Sequence, residues 1–171
     1  MKQAATALSI LLLCTAATCC VLGQTTNPDD QELIKELELY NVDRMHGLTF
    51  EIYVCKLLKH RGYATKNMRA SNDFGTDIIA TKGNDKISIQ VKRSKNRIDR
   101  KAISDAVAGM KFYKCNKSMV VTNNRFTDSA KKFAKKTECT LIGRAELAKW
   151  IASYKQKSKA SQNPKDTSPQ K

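Results

Sequence analysis

The chain has 171 residues, with 31 Lys and Arg against 16 Asp and Glu, a formal charge of +15. That length accommodates one ordinary domain plus extensions, and the cationic excess points to a polyanionic partner: nucleic acid, an acidic membrane surface or an acidic protein. None of the six cysteines falls in a C-x-x-C spacing, and Cys55, Cys115 and Cys139 cannot all pair within one chain, which disfavours a zinc site or a disulfide framework and favours single buried thiols.

Residues 1–23 begin with Lys2, carry no charge from Gln3 to Gly23, and contain the apolar run Leu8–Leu13. This pattern is that of a secretory signal peptide, with an uncleaved membrane anchor as its rival. Cleavage implies an exported protein, retention a membrane-anchored one, and a true start downstream, with Met45 as one candidate, a cytoplasmic one. Residues 24–43 read as a linker with a short acidic helix, Gln31–Tyr40, and the main domain is expected from Arg44. A helix follows over Leu48–His60, stopped by Arg61-Gly62. On a helical wheel Leu48, Phe50, Ile52, Val54, Cys55 and Leu58 form a broad apolar arc, and Glu51 falls inside it. A carboxylate there must be paired, protonated or bound to a cation, unless it sits at the rim and reaches water.

Tyr63–Arg69 is a short predicted strand, followed by the loop Ala70–Asn72. The runs Thr76–Thr81 and Lys86–Arg93 flank the turn signal Lys82–Asp85 and predict a β-hairpin. In its second strand Ile87, Ile89 and Val91 share one face and Ser88, Gln90 and Lys92 the other. Two readings of that second face stand: a site assembled with Asp77, or a polar surface facing solvent. A helix is predicted from about Asp99, its N-cap, to Tyr113, burying Ile103, Ala106, Val107 and Met110. Ser118–Thr122 suits a strand covered on both faces. Thr127 caps a helix that turns Ala130, Phe133 and Ala134 inward and Lys131, Lys132, Lys135 and Lys136 outward. Cys139–Ile142 is a further strand, Arg144–Tyr154 a closing helix, and the residues from Lys155 a basic tail whose composition predicts disorder. Helix, three strands, helix, strand, helix, strand, helix predicts an α/β domain: a mixed central sheet flanked by helices.

Phosphodiester hydrolysis needs a hard divalent cation on oxygen ligands and a nearby ammonium for the developing charge. Glu51 and Asp77 offer two carboxylates, Val91 a backbone carbonyl, Gln90 an amide oxygen and Lys92 the ammonium. With these residues in view, the stretch from about Gly47 to Ile151 resembles the catalytic domain of Mrr-type restriction endonucleases, in the PD-(D/E)xK nuclease superfamily. The resemblance rests on G-L-T-F-E at Gly47–Glu51, L-L-K-H-R-G-Y at Leu57–Tyr63, D-F-G-T-D-I-I-A at Asp73–Ala80 and I-Q-V-K-R at Ile89–Arg93. V-V-T-N-x-x-F-T-x-S-A at Val120–Ala130 and L-I-x-R-x-x-L ending at Leu147 complete it.

The resemblance implies a restriction-endonuclease-like core and cleavage of DNA dependent on Mg²⁺, with Mn²⁺ substituting. By position it makes Glu51 the helix acid, Asp77 the metal-binding Asp, Gln90 the substitute for the second carboxylate and Lys92 the catalytic lysine. Asp73 matches the first acidic position of D-G-G-x-D, and Phe74 stands where the family usually has Gly, which puts the loop geometry in question. Arg93, Lys95, Arg97, Arg100 and Lys101 follow the lysine and are candidate phosphate contacts, giving salt-dependent and sequence-independent affinity. Double-strand cleavage would call for a homodimer. Two alternatives remain open: a catalytically silent DNA-binding protein of the same fold, and a structure-specific resolvase or RNA nuclease.

Overall fold

The computed structural model describes residues 38–68 and 75–161, with side chains as far as Gln156. The leader, most of the linker, the loop around Asp73 and Phe74, and the tail beyond Ser161 lie outside these residues. Residues 38–44 are helical (α1), followed by α2 (Gly47–His60), β1 (Ala64–Asn67), β2 (Ile78–Lys82), β3 (Asp85–Lys92), α3 (Arg100–Phe112), β4 (Lys117–Thr122), α4 (Asp128–Lys136), β5 (Thr140–Ile142) and α5 (Arg144–Ser161). No helix among the described residues is long and apolar enough to cross a membrane.

The five strands lie in sequence order, antiparallel from β1 to β3 and parallel from β3 to β5. This is the expected mixed sheet. The hairpin closes with Lys82 opposite Asp85, leaving a two-residue turn, Gly83-Asn84, tighter than the four-residue signal suggested. Gly83 has φ +56 and Asn84 is not among the positive-φ residues, the pattern of a type II′ turn, whose twist matches that of the strands.

Period two then sorts the sheet into two faces. Ile78, Ala80, Ile87, Ile89, Val91, Met119 and Val121 join Phe50, Val54, Leu57 and Leu58 of α2 and Leu147, Trp150 and Ile151 of α5 in one apolar cluster. Each such side chain, fully buried, stabilises by about 1.5–3 kcal/mol. Leu39 and Val42 of α1 belong to the same cluster, so the packed unit begins ahead of the expected boundary at Arg44. On the other face α3 and α4, the crossovers between parallel strands, cover Val120 with Ala102, Ile103, Ala106, Ala130 and Ala134. Asp99 and Thr127 cap these two helices as expected, accepting from Lys101 N at 3.0 Å and Ala130 N at 3.2 Å.

Three expectations need correcting. Leu48 and Ile52 are 56% and 38% exposed, because the buried stripe of α2 centres on Phe50, Val54, Leu57 and Leu58. Glu51 therefore stands at the rim of that stripe, half-exposed, and the desolvation argument for it does not hold. In α3 the stripe runs through Ala102, Ile103, Ala106 and Gly109, with Val107 and Met110 only half-buried. Finally, α5 continues past Tyr154 to Ser161, because residues rich in Lys, Ser and Ala extend a helix that Trp150 and Ile151 already anchor.

Candidate active site

The site residues collect at one end of the sheet because of how the chain turns there. From α2 the chain reverses through Arg61-Gly62 into β1, and the two elements pack against each other. Burial pushes the Cys55 thiol up, with the Glu51 charge acting the same way, and hydrogen bonds to Thr65 and Asn67 of β1 counteract it. Glu51 lies one turn earlier on α2, and β1 ends at Asn67. There Met68 N donates to Asp77 O at 2.9 Å, and Asp77 N donates to Ile89 O at 2.9 Å.

Asp77 continues the β2–β3 register to lie opposite Gln90. Its Oδ2 accepts from Val91 N at 2.6 Å and from Gln90 Nε2. Gln90 is 3% exposed. The solvent-facing reading of this side of β3 is therefore overturned at Ser88 and Gln90: both are buried beneath α3, and Ser88 Oγ donates to Ala106 O at 3.0 Å while sharing a hydrogen bond of 2.8 Å with Thr76 Oγ1. Lys92 alone of that series is exposed, at the mouth.

The structure thus brings Asp77, Gln90 and the Val91 backbone into direct contact, with Lys92 next along the strand. Glu51 lies on α2, which packs against the opposite face of the sheet. Among the described residues no three His, Cys, Asp or Glu side chains gather as a metal-holding group. The oxygen donors here are instead mixed: carboxylate, amide and backbone carbonyl. That donor set suits a hard cation such as Mg²⁺.

Beside Lys92 lies an open groove of about 330 Å³ lined by Lys92, Ser94, Arg97, Asp99, Lys101 and Asp105. Lys95, Arg97, Arg100 and Lys101 are exposed, with Lys101 paired to Asp105 at 3.3 Å. Arg93 departs from the expected basic surface. It is half-buried, its guanidinium donates to the Asp43 carbonyl at 3.3 Å, and its Nε is buried without a hydrogen-bond partner.

Gly75 sets the approach to Asp77. Its φ is +80, and a Cβ on it would lie 2.6 Å from Asp105 O, so only glycine lets the loop pass this close to α3. Sequence reasoning passed over Gly75, Asp105 and Asn123. The first lies in D-F-G-T-D and the last in V-V-T-N, so the motifs held the signal without its reason.

The Mrr_cat restriction endonuclease family matches residues 42–151, more than half of the chain. The chain belongs to that family. Among solved structures, the MspJI restriction endonuclease in complex with a 27-mer oligonucleotide is similar over 87% of this chain and 37% of its own, at 16% identity and TM-score 0.57. The DNA modification-dependent restriction endonuclease AspBHI is similar over 70% of this chain and 35% of its own, at 14% identity and TM-score 0.55. At those identities the likeness is one of fold, and the chain spans little more than a third of either structure's length. No curated protein matches the chain.

Proposed function

We propose that this member of the restriction endonuclease family is a divalent-metal-dependent endodeoxyribonuclease, with Asp77, Glu51, Gln90 and the Val91 carbonyl as cation ligands and Lys92 as the catalytic ammonium. The observation that carries this reading is the contact of Asp77 with both the Gln90 amide and the Val91 N–H, next to an exposed Lys92 at the carboxyl end of a parallel strand. Crevices at such strand ends are where α/β sheets take ligands.

Bound Mg²⁺ would polarise a phosphate oxygen and lower the pKa of the attacking water. Asp77 is oriented by its two donors, so a carboxylate oxygen is presented in a fixed direction. Gln90 donates to Asp77 through its nitrogen, so its amide oxygen is the atom that would serve as the ligand. Lys92, a compact ammonium on a mobile stem, meets the charge that develops on the phosphate. Lys95, Arg97, Arg100 and Lys101 steer and hold the DNA backbone.

The test is incubation of the purified chain with supercoiled plasmid in Mg²⁺ or Mn²⁺. Nicked or linear product, abolished by chelation and by Asp77→Ala, is expected. Intact plasmid with both metals, from folded protein that still binds DNA in a salt-sensitive way, would replace this reading with that of a silent DNA-binding protein.

A further inference from the structure

Lys92 is the last residue of β3, and beyond it the ladder no longer fixes the backbone. The chain there is gripped by other means. Thr122 Oγ1 donates to Lys92 O at 2.6 Å, Ser94 N donates to Asn123 Oδ1 at 2.8 Å, and Asn124 Nδ2 donates to Ser94 O at 3.3 Å. Asn123 is the centre of this grip, 3% exposed.

Its amide is oriented in turn. Asn123 Nδ2 donates to Asp43 Oδ1 at 2.7 Å, and Arg144 reaches both Asp43 oxygens at 2.9 Å and the Asn123 carbonyl at 3.0 Å. A carboxylate only accepts and a backbone N–H only donates, so with Asp43 on one side and Ser94 N on the other the amide has one orientation that satisfies both. The three residues come from α1, the end of β4 and the start of α5, and none of them is a candidate ligand or phosphate contact.

We propose that Asp43, Asn123 and Arg144 form a positioning clamp for Lys92. The clamp fixes the backbone on the far side of the lysine, so that its ammonium meets the phosphate from a constant origin, and it ties α1 to the end of β4, 80 positions further along the chain. Catalytic groups lose rate when their supports loosen by about an ångström, even with binding intact. This inference rests on the nuclease reading, with Lys92 as the ammonium.

The experiment is a double-mutant cycle on single-turnover DNA cleavage, combined with DNA affinity, thermal midpoints and backbone hydrogen exchange. Asn123→Ala is expected to slow cleavage about tenfold at nearly unchanged DNA affinity, and to have little further effect in a Lys92→Ala background. Asp43→Asn, at a half-exposed site, is the milder second variant should Asn123→Ala not fold. It is expected to slow cleavage in the same direction and to speed exchange across residues 92–97. An equal rate loss with and without Lys92, a loss matched by weaker binding, or unchanged exchange at 92–97 overturns the clamp. A native chain that cuts nothing sinks the nuclease reading instead, and the exchange measurement then decides the clamp: unchanged exchange overturns it, faster exchange retains it as a device that holds this loop.

Discussion

The two faces of the sheet are packed by different means. Beneath α2 and α5 the strands present Ile, Val and Met to Phe50, Leu57, Leu58, Leu147 and Trp150, a large and nearly featureless apolar layer. Beneath α3 and α4 they present Ser88, Gln90, Ser118, Val120 and Thr122, against helices that answer largely with alanine. Stability on the first face comes from area removed from water, which is non-directional. On the second it comes from small residues that let backbones approach, and from hydrogen bonds such as Ser88 Oγ to Ala106 O that demand one geometry. All candidate site side chains but Glu51 belong to the second face or its end. A site that must hold Asp77 at a fixed angle is built where packing is directional.

Substitutions can break this division. Leu57→Ala on the apolar face is expected to cost about 2–5 kcal/mol of unfolding free energy by leaving a cavity, read as a lower denaturant midpoint, while the folded fraction keeps its cleavage rate. Lys92→Ala is the converse: a loss of roughly 10²–10³ in rate, about 2.7–4 kcal/mol on the barrier, with an unchanged midpoint. If Lys92→Ala unfolds the protein, or Leu57→Ala slows the chemistry of the folded fraction, the division is false. Gly75→Ala should do both, costing about 1–3 kcal/mol through a strained φ and the clash with Asp105, and its rate loss should exceed what the unfolded fraction explains.

The smallest effect sharpens the apolar side. Burial, with Glu38 and Tyr154 adding to it, pushes the Tyr53 phenol from its usual 10.0 to about 12. Raised in the folded state, this group gives stability that is whole below pH 10 and is lost as pH climbs from 10 toward 12, because the unfolded chain releases the proton first. Denaturation midpoints across that range should fall less steeply in Tyr53→Phe.

Much of this was legible in the chain. Alternation in Lys86–Arg93 located the apolar face, Asp99 and Thr127 announced their helices, and the order of elements predicted the mixed sheet. What failed shares a cause. The exposure of Leu48 and Ile52 depends on where α2 docks, which its own wheel does not contain, and so Glu51 looked more deeply buried than it is. Ser88 and Gln90 are buried only because a later helix covers them. Arg93 looked like one more surface cation, yet its partner Asp43 lies 50 positions earlier. Asn123 and Gly75 were visible as letters in motifs, while their reasons, a two-sided amide and a missing Cβ, need three dimensions.

The tight Gly83-Asn84 turn has a practical consequence. The eight residues of β3 place it at the opposite end of the hairpin from Lys92, roughly 24 Å away at about 3.4 Å per residue, and nothing lies within 4 Å of where a Gly83 side chain would begin. A fluorophore or surface tether inserted between Gly83 and Asn84 would sit clear of the groove, at the cost of the two-residue turn and of neighbouring contacts such as Asn116 to Asn84 and Lys117 to Asp85. The molecule therefore carries a built-in handle through which substrate engagement can be watched from a distance.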